Sequence, residues 1–392
     1  MRLNHNLHLA YSTNVHRGET WRETFDSLQN HTLAVRDKVG KDQPFGIGLR
    51  LSCQAALALN DRNRLLSFQR WLGKNNCYVF TVNGFPYGQF HATRVKENVY
   101  RPDWTTRERL DYTKLLFDLL AQLVPPGVEG SVSTLPGSFK EFKLNADALK
   151  VMRQNLWHCI EHVAHVSEGS GRKLHLGLEP EPLCLLESSL ETLHFFDRMR
   201  AEHPHDERLA EYLGVNYDTC HFAVGFEEPQ NAFPCLVNHG IKISKIHLSS
   251  ALQVRPTADA REQLKRFADD VYFHQVVVCR STGQRFIYRD LDDALASEQV
   301  PDAEAENSVW RIHFHVPLHA PALPPLGNTS DHLLGVLDLL AQNPKVCPHL
   351  EMETYTWEVL PPELKSQSVV DQLAAEYDWT LARLKERGLF NR

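Results

Sequence analysis

Acidic and histidine side chains recur where short β-like segments of this sequence end. Period-two alternation along a strand places Glu179 and Glu181 on one face, and it does the same for Glu351 and Glu353. Carboxylates on neighbouring strands repel one another, and a divalent cation is the natural way to neutralise them. Three oxygen ligands with an imidazole suit Mn, Mg, Co, Fe or Zn, and histidine favours Mn or Zn. The full set is Glu179, Glu181, Asp218, His221, His247, His313, His315, Glu351 and Glu353.

These residues belong to a pattern in which β-like segments alternate with helical ones. The β-like segments are 7–10, 45–52, 77–83, 130–134, 174–179, 213–218, 241–247 and 349–353. Helical spacing of apolar residues covers 21–39, 107–123, 146–166, 189–201, 329–341 and 369–387. Eight βα units predict a (β/α)8 TIM barrel, in which the carboxyl ends of the strands build the site. A doubly wound sheet is the alternative, but its glycine-rich phosphate loop is missing after the first segment.

About a hundred residues separate His247 from Glu351, which is too long for one βα unit. Within them, 272–278 and 285–288 predict a β-hairpin, and 310–315 is a further extended run. We therefore predict one decorated barrel domain over residues 1–392. Its insertion covers about 254–310, between the seventh and eighth strands, and we expect the hairpin to be peripheral.

Composition narrows the classes of partner and location. Lys and Arg number 42 against 49 Asp and Glu, a net charge of -7, which argues against nucleic acid as a partner. No apolar run is long enough for membrane insertion, and the first residues lack the apolar core of a signal peptide. The eight cysteines are irregularly spread without a C-x-x-C pair, as expected of reduced thiols. We predict a cytoplasmic protein that acts on a small molecule.

Three of the strand-end motifs resemble those of a known superfamily. They read Leu-Gly-Leu-Glu-Pro-Glu-Pro at 176–182, Tyr-Asp-Thr-Cys-His-Phe-Ala-Val-Gly at 217–225 and Ile-His-Leu-Ser-Ser-Ala at 246–251. In order and spacing they are similar to the xylose isomerase-like TIM barrels, over roughly residues 170–360. This superfamily includes sugar isomerases, ketose epimerases and apurinic endonucleases.

The resemblance implies roles for individual residues. It implies that Glu179, Asp218, His247 and Glu353 are metal ligands, Glu353 because Met-Glu-Thr matches the final motif of the superfamily. It also implies a second metal or an outer ligand shell at His221, His313 and His315. Glu181 stands where xylose isomerase carries Lys, which argues against aldose isomerisation of that type.

A narrower resemblance spans nearly the whole chain. Its motifs include Tyr-Ser-Thr-Asn-Val-His-Arg-Gly-Glu-Thr-Trp at 11–21, Val-Tyr-Arg-Pro-Asp-Trp at 99–104 and Met-Glu-Thr-Tyr-Thr-Trp at 352–357, with further matches at 80–91 and 131–136. These resemble the EboE family, the barrel component of bacterial and algal gene clusters linked to precursor export and named metabolite traffic proteins. The resemblance implies partners from such a cluster and a small polar metabolite as ligand.

The first half of the chain supplies candidate substrate contacts. Asn14 and His16 follow the first strand, Arg50 lies on the second, and Asn83 ends the third. His91 belongs to the long loop 84–104, whose length is typical of an active-site lid.

We therefore expect a metal-dependent isomerase or epimerase of a small polyhydroxy or hydroxy-carbonyl substrate. The divalent ion, Mn, Zn, Mg or Co, would act as Lewis acid, and Glu181 or Glu351 would move the proton. Two alternatives stay open: a multi-metal phosphoester hydrolase resembling apurinic endonucleases, and a non-catalytic metabolite binder or carrier.

Overall fold

Short strands that are buried along almost their whole length form the centre of the protein. The computed structural model describes residues 1–89, 91, 95–297, 307–321 and 323–391. Its parallel strands are β1 (His8–Ser12), β2 (Phe45–Arg50), β3 (Cys77–Asn83), β4 (Gly130–Thr134), β5 (Leu174–Leu178), β6 (Leu213–Asp218), β7 (Lys242–Leu248) and β13 (His349–Met352). They close into a barrel in the order β1-β13-β7-β6-β5-β4-β3-β2. The predicted TIM barrel is confirmed, and each predicted β-like segment overlaps one of its strands.

Most helices connect the barrel strands and cover them from outside, and two, Ala258–Leu264 and Leu291–Ala296, belong to the insertion after β7. The helices are α1 (Trp21–Ser27), α2 (Leu33–Val39), α3 (Cys53–Leu59), α4 (Arg62–Lys74), α5 (Arg107–Leu123), α6 (Ala146–Ser170), α7 (Ser189–Glu202), α8 (Arg208–Tyr212), α9 (Thr219–Val224), α10 (Pro229–Asn238), α11 (Ala258–Leu264), α12 (Leu291–Ala296), α13 (Ser330–Gln342) and α14 (Val369–Glu386). A π-helical turn, Leu28–Thr32, joins α1 to α2, so the predicted helix 21–39 is present with one wide turn inside it. The Thr20 capping box at its start is also present.

Some helices were not predicted from the sequence. α3 and α4 lie between β2 and β3, and α9 and α10 lie between β6 and β7. Ser52 caps α3 and Asp61 caps α4, each accepting a backbone N–H hydrogen bond three residues on. In the described part of the chain, no helix combines the length and the apolar character that crossing a membrane requires.

A second, antiparallel sheet stands between β7 and α13. Its strands are β8 (Ala251–Val254), β9 (Val276–Cys279), β10 (Arg285–Tyr288), β11 (Val309–His315) and β12 (Leu326–Asn328), in the order β10-β9-β11-β8-β12. The predicted hairpin is β9–β10, and Phe286 pairs with Val278 within it. The sheet reaches beyond 254–310 on both sides because β11 also pairs with β8, a contact between distant residues that strand spacing does not reveal. Residues 298–306 of the predicted acidic connector lie outside the described residues.

Candidate metal centre

Side chains from four adjacent barrel strands converge on one point at the carboxyl end of the barrel. Glu179 follows β5, Asp218 ends β6, His247 lies on β7 and Glu353 follows β13. One ligand atom of each lies within 4.8 Å of the others, and all four residues are buried. From Nδ1 of His247, the distances are 2.8 Å to Oε2 of Glu353, 3.1 Å to Oε1 of Glu179 and 3.4 Å to Oδ2 of Asp218.

The protein holds the far oxygen of two of these carboxylates and leaves the near one facing the centre. Oδ1 of Asp218 accepts hydrogen bonds from the Cys220 backbone N–H at 2.7 Å and the Ser249 hydroxyl at 2.6 Å. Oε1 of Glu353 accepts from the side-chain amides of Asn14 at 2.5 Å and Asn83 at 3.3 Å. These bonds orient the oxygens that face His247 before any ligand arrives.

The charge of this group fits a divalent cation. Three carboxylates surround one imidazole, and Oε2 of Glu179 is buried without a hydrogen-bond partner among the described residues. Burial raises the pKa of Glu353 to about 7, although His247 lowers it. Burial opposes the charge on His247, but Glu353 and Glu179 hold its pKa well above the ordinary range. One imidazolium cannot balance three buried carboxylates, whereas a bound divalent ion would.

Glu351 lies one layer deeper and does not line the cavity above the centre. Its Oε2 is 2.6 Å from Nζ of Lys245 and 3.2 Å from Nε2 of His247. Lys245 also donates to the Ser133 hydroxyl at 3.1 Å. Burial opposes ionisation of Glu351, but Lys245 and His247 lower its pKa to about 2. Gly48 makes room for this carboxylate, since a Cβ at position 48 would lie 1.9 Å from Oε1 of Glu351.

Glu181 faces the cavity and ends a chain of hydrogen bonds that begins at His313. Gln275 donates from Nε2 to the Pro182 carbonyl at 3.3 Å and to the Tyr100 hydroxyl at 3.0 Å. The Tyr100 hydroxyl in turn donates to Oε1 of Glu181 at 3.0 Å. Burial is the main reason that the pKa of Glu181 rises to about 8.

The same series of hydrogen bonds determines the tautomer of His313. Because the Pro182 carbonyl only accepts, Oε1 of Gln275 must accept from Nδ1 of His313, at 2.7 Å. Nε2 of His313 then carries the lone pair, and it is buried without a partner among the described residues. Because burial holds the pKa of His313 well below its ordinary value, the inserted sheet presents a neutral imidazole to the barrel site.

His221 and His315 are held in the same way as His313. Nδ1 of His221 donates to the Pro180 carbonyl at 2.9 Å, and Nδ1 of His315 donates to the Glu353 carbonyl at 3.0 Å. Ligand atoms of His221, His315 and Asp218 lie within 4.8 Å of one another. This group shares Asp218 with the first one, so its chemistry would suit a second cation beside the first.

A cavity that is partly open to solvent lies above Glu179 and Glu353. Its described lining consists of Asn14, Asn83, Phe85, Pro86, Val95, Lys96, Val99, Tyr100, Glu179, Glu181, His221, Tyr272, Phe273, His313, Glu353 and Tyr355. Of the five predicted substrate contacts, the structure brings Asn14 and Asn83 to this cavity. His16, Arg50 and His91 are not among the lining residues.

The side chains of these last three residues bind parts of the protein that surround the site. His91 binds the Asn14 carbonyl at 2.6 Å, and His16 stacks on His31 with ring centroids 4.6 Å apart. The Arg50 guanidinium donates to the Gly18 carbonyl at 3.1 Å. All three are polar, but their side chains contact other parts of the protein, for His16 also the Tyr11 hydroxyl on β1, a distinction that sequence position does not carry.

Several residues of the site received no role from the sequence. Lys245 precedes His247 by two positions, so strand alternation alone places both on one face, and this signal was available. Phe273 and Gln275 come from the insertion, and no motif marks them. They reach the barrel because the loop after β3 packs on the insertion, where the Val95 N–H donates to the Val271 carbonyl at 2.9 Å.

Comparison with solved structures agrees with the fold. An L-ribulose 3-epimerase is 11% identical with a TM-score of 0.52, covering 99% of this chain and 96% of that one. A xylose isomerase-like TIM barrel protein from Mycobacterium smegmatis, in complex with magnesium, is 12% identical with a TM-score of 0.53 and 99% coverage of both chains. The probable 3-DHS dehydratase AsbF from Bacillus anthracis is 12% identical with a TM-score of 0.50, covering 95% and 98%. No family model and no curated protein sequence matches the chain. The chain has the xylose isomerase-like TIM-barrel fold.

Proposed function

We propose that this protein is a divalent-metal-dependent enzyme that isomerises or epimerises a small hydroxy-carbonyl metabolite. The observation that carries the proposal is the convergence of Glu353, Glu179 and Asp218 on Nδ1 of His247, within 3.4 Å, at the floor of a cavity. Two structural neighbours support it, one named as a ribulose epimerase and one bound to magnesium.

Glu179, Asp218, His247 and Glu353 would hold the ion, and Mn, Zn, Mg and Co all suit three oxygens with one imidazole. When bound, a divalent ion polarises a carbonyl or hydroxyl oxygen as a Lewis acid. Asn14 and Asn83 keep Glu353 oriented through its other oxygen. Glu351 contacts Nε2 of His247 on the side away from the cavity. We therefore propose that Glu351 positions His247, in place of the proton transfer expected from the sequence.

Glu181 is the proposed acid–base group. It lies on the cavity wall, and a pKa raised to about 8 by burial lets it hold or release a proton near neutral pH. Its carboxylate would take the proton from the carbon beside the substrate carbonyl and return it to the neighbouring or the same carbon. Tyr100 keeps Oε1 of Glu181 in place through its 3.0 Å hydrogen bond.

The test is exchange of substrate protons with solvent. Protein loaded with Mn²⁺ is incubated in D2O with D-fructose or hydroxyacetone, and NMR follows loss of the proton beside the carbonyl. We expect exchange that Glu181→Gln abolishes without loss of bound metal. Glu187→Gln is the matched control, since Glu187 pairs with Lys140 and does not line the cavity. Tight ligand binding with no exchange would contradict the proposal and indicate a carrier.

Metal content tests the first step of this proposal separately. Asp218→Ala removes one of the three carboxylate ligands of the proposed centre, so we expect most of the bound ion to be lost while the protein stays folded. Asp197→Ala, on the surface of α7, is the control. Unchanged metal per chain in a folded Asp218→Ala protein would rule out the proposed centre.

A multi-metal phosphoester hydrolase is the second candidate. The observation that favours it is the group of His221, His313 and His315 beside Asp218, with buried Nε2 atoms on His313 and His315 that lack partners among the described residues. One ion per chain favours the isomerase or epimerase, whereas two or three ions together with cleavage of a phosphodiester probe favour the hydrolase.

Membership of the EboE family and a place in metabolite traffic are further proposals. They rest on the motifs at 11–21, 80–91, 99–104, 131–136 and 352–357. They predict a cytoplasmic protein with partners encoded in its own gene cluster. Affinity capture of the protein from its native cell, with mass spectrometry of bound proteins and small molecules, tests them.

A further inference from the structure

The cavity above the candidate metal centre has two halves of different chemistry. Its floor carries carboxylates, histidines and the amides of Asn14 and Asn83. Its outer wall is built from apolar and aromatic side chains of the loop after β3, the insertion and the segment after β13. This wall consists of Phe85, Pro86, Val95, Val99, Tyr100, Tyr272, Phe273 and Tyr355.

The aromatic residues of the wall stack on one another and form a stiff surface. Tyr100 stacks on Phe139 with ring centroids 4.5 Å apart and an angle of 5° between the rings. Phe139 stacks in turn on Phe273 at 6.0 Å, and Phe85 packs against Tyr100 at 6.0 Å. A flat apolar group entering the cavity would meet rings that are already ordered and would lose little mobility on the protein side.

The polar atoms of this wall are engaged with the protein. The Tyr100 hydroxyl bonds Glu181 and Gln275, and the Tyr272 hydroxyl lies 2.6 Å from Nδ1 of His91. Hydroxyl groups along a polyol chain would lose their water at this wall and find few new partners, which costs binding free energy.

The wall also lacks an unpaired cation within the described residues. Lys96 is the only lysine or arginine in that lining, and its Nζ lies 2.6 Å from Oδ2 of Asp290 and 3.0 Å from the Asp269 carbonyl. Both partners of the ion pair are largely buried, with side-chain exposures of 7% and 14%. Among the described lining residues, a phosphate or a second carboxylate on the substrate would therefore meet no unpaired Lys or Arg side chain.

We propose that the substrate is a hydroxy-carbonyl compound with a flat, unsaturated or aromatic body. Its oxygen-bearing end lies on the polar floor, and its apolar body packs against the wall between Phe85 and Phe273. The position of the oxygen-bearing end rests on the proposed function. The apolar character of the body is inferred from the wall alone. This substrate class departs from the free sugars that the names of structural neighbours suggest.

Three probes test this substrate class, and all carry an α-hydroxy-ketone group, D-fructose in its open-chain form. Hydroxyacetone carries a methyl group beside this group, 2-hydroxyacetophenone a phenyl ring, and D-fructose a polyol chain. Dissociation constants are measured by calorimetry on Mn²⁺-loaded protein, after metal stoichiometry has been established. We expect 2-hydroxyacetophenone to bind at least about tenfold tighter than either other probe, because burying the apolar surface of a phenyl ring strengthens binding by about that factor.

A pair of variants locates the binding. Phe273→Ala should remove most of the advantage of 2-hydroxyacetophenone and leave the affinity for hydroxyacetone unchanged. Phe286→Ala is the matched control, because Phe286 lies on the same insertion and does not line the cavity. Val99→Ser provides a second wall variant on a half-buried residue, should Phe273→Ala fail to fold.

Two results are decisive, and they separate this inference from the proposed function. D-fructose binding as tightly as 2-hydroxyacetophenone would overturn the apolar substrate class, even with metal bound and proton exchange observed. Tight binding of 2-hydroxyacetophenone that depends on Phe273 would support the class, even if no proton exchange occurred and the proposed reaction failed.

Discussion

Nε2 of His247 lies 3.2 Å from Oε2 of Glu351, while Nδ1 of the same ring faces three carboxylates of the candidate metal centre. The imidazole thus contacts the barrel interior through Nε2 and the candidate metal centre through Nδ1. Glu351 is itself neutralised by Lys245 at 2.6 Å, so it accepts from Nε2–H, and the proton on Nδ1 is the one that a bound cation would displace. A histidine ligand oriented by a buried carboxylate is a common arrangement at metal sites.

The two glutamates of the last barrel strand should therefore differ in their effect on metal. Glu353→Gln replaces an oxygen of the centre, and we expect metal affinity to fall by a factor on the order of 100 or more. Glu351→Gln acts only through His247, so we expect a loss of about tenfold, with metal still bound. Calorimetric titration with Mn²⁺ measures both. Metal loss confined to Glu351→Gln would show that the centre lies one layer deeper in the barrel.

The Lys245–Glu351 pair predicts a large effect on stability. Lys245→Met removes the lysine ammonium beside the buried Glu351 carboxylate and leaves it only the contact with Nε2 of His247, which should lower the free energy of unfolding by about 3–5 kcal/mol. Adding Glu351→Gln removes the charge and should restore part of the loss. Lys140→Met is the control, because Lys140 is partly exposed and its pairs with Glu187 and Glu191 should contribute about 1 kcal/mol or less. Urea unfolding provides the values, and equal losses for both lysines would refute the prediction.

Glu376 predicts a pH dependence of stability. Burial raises its pKa to about 7 from an ordinary 4.5, although Thr354 and Gln372 donate hydrogen bonds to it. Between these two pH values the folded protein keeps a proton that the unfolded chain releases, so stability falls as pH rises from 4.5 to 7. The contribution lost is about 3 kcal/mol.

Glu376→Gln should remove this part of the slope. Unfolding in urea at pH values from 4.5 to 7.5 compares it with the natural protein and with Glu386→Gln, an exposed glutamate on the same helix. We expect the stability of Glu376→Gln to decline less than that of the other two proteins. Parallel curves for all three would mean that Glu376 is ionised in the folded protein throughout this range.

The hydrogen bond between Gln275 and His313 predicts which tautomer His313 adopts. Because Gln275 accepts from Nδ1–H, nitrogen-15 NMR should show His313 as a single neutral tautomer protonated at Nδ1. Gln275→Leu removes the acceptor and should give a mixture of tautomers. Gln263→Leu, on α11 and outside the cavity lining, should leave the signal unchanged. A His313 signal protonated at Nε2 in the natural protein would contradict the hydrogen-bond chain that ends at Glu181.

The barrel and the residues at its strand ends follow from local patterns along the chain. Segments such as 77–83 and 213–218 are short, apolar and bounded by helical patterns, so local pattern was enough to locate them. The same period-two rule placed Glu351 and Glu353 on one face, and the structure has both side chains inside the barrel.

Which polar residues serve the site, and which bind the segments around it, depends on tertiary packing. Phe273 reaches the cavity from the insertion, and Gln275 binds the hydroxyl of the cavity residue Tyr100. His16 instead stacks on His31, and Arg50 binds the Gly18 carbonyl. Each of these outcomes depends on contacts between residues far apart in the chain, such as β11 with β8. Strand period and motif spacing describe neighbours along the chain, and the free energy of long-range packing selects neighbours in space.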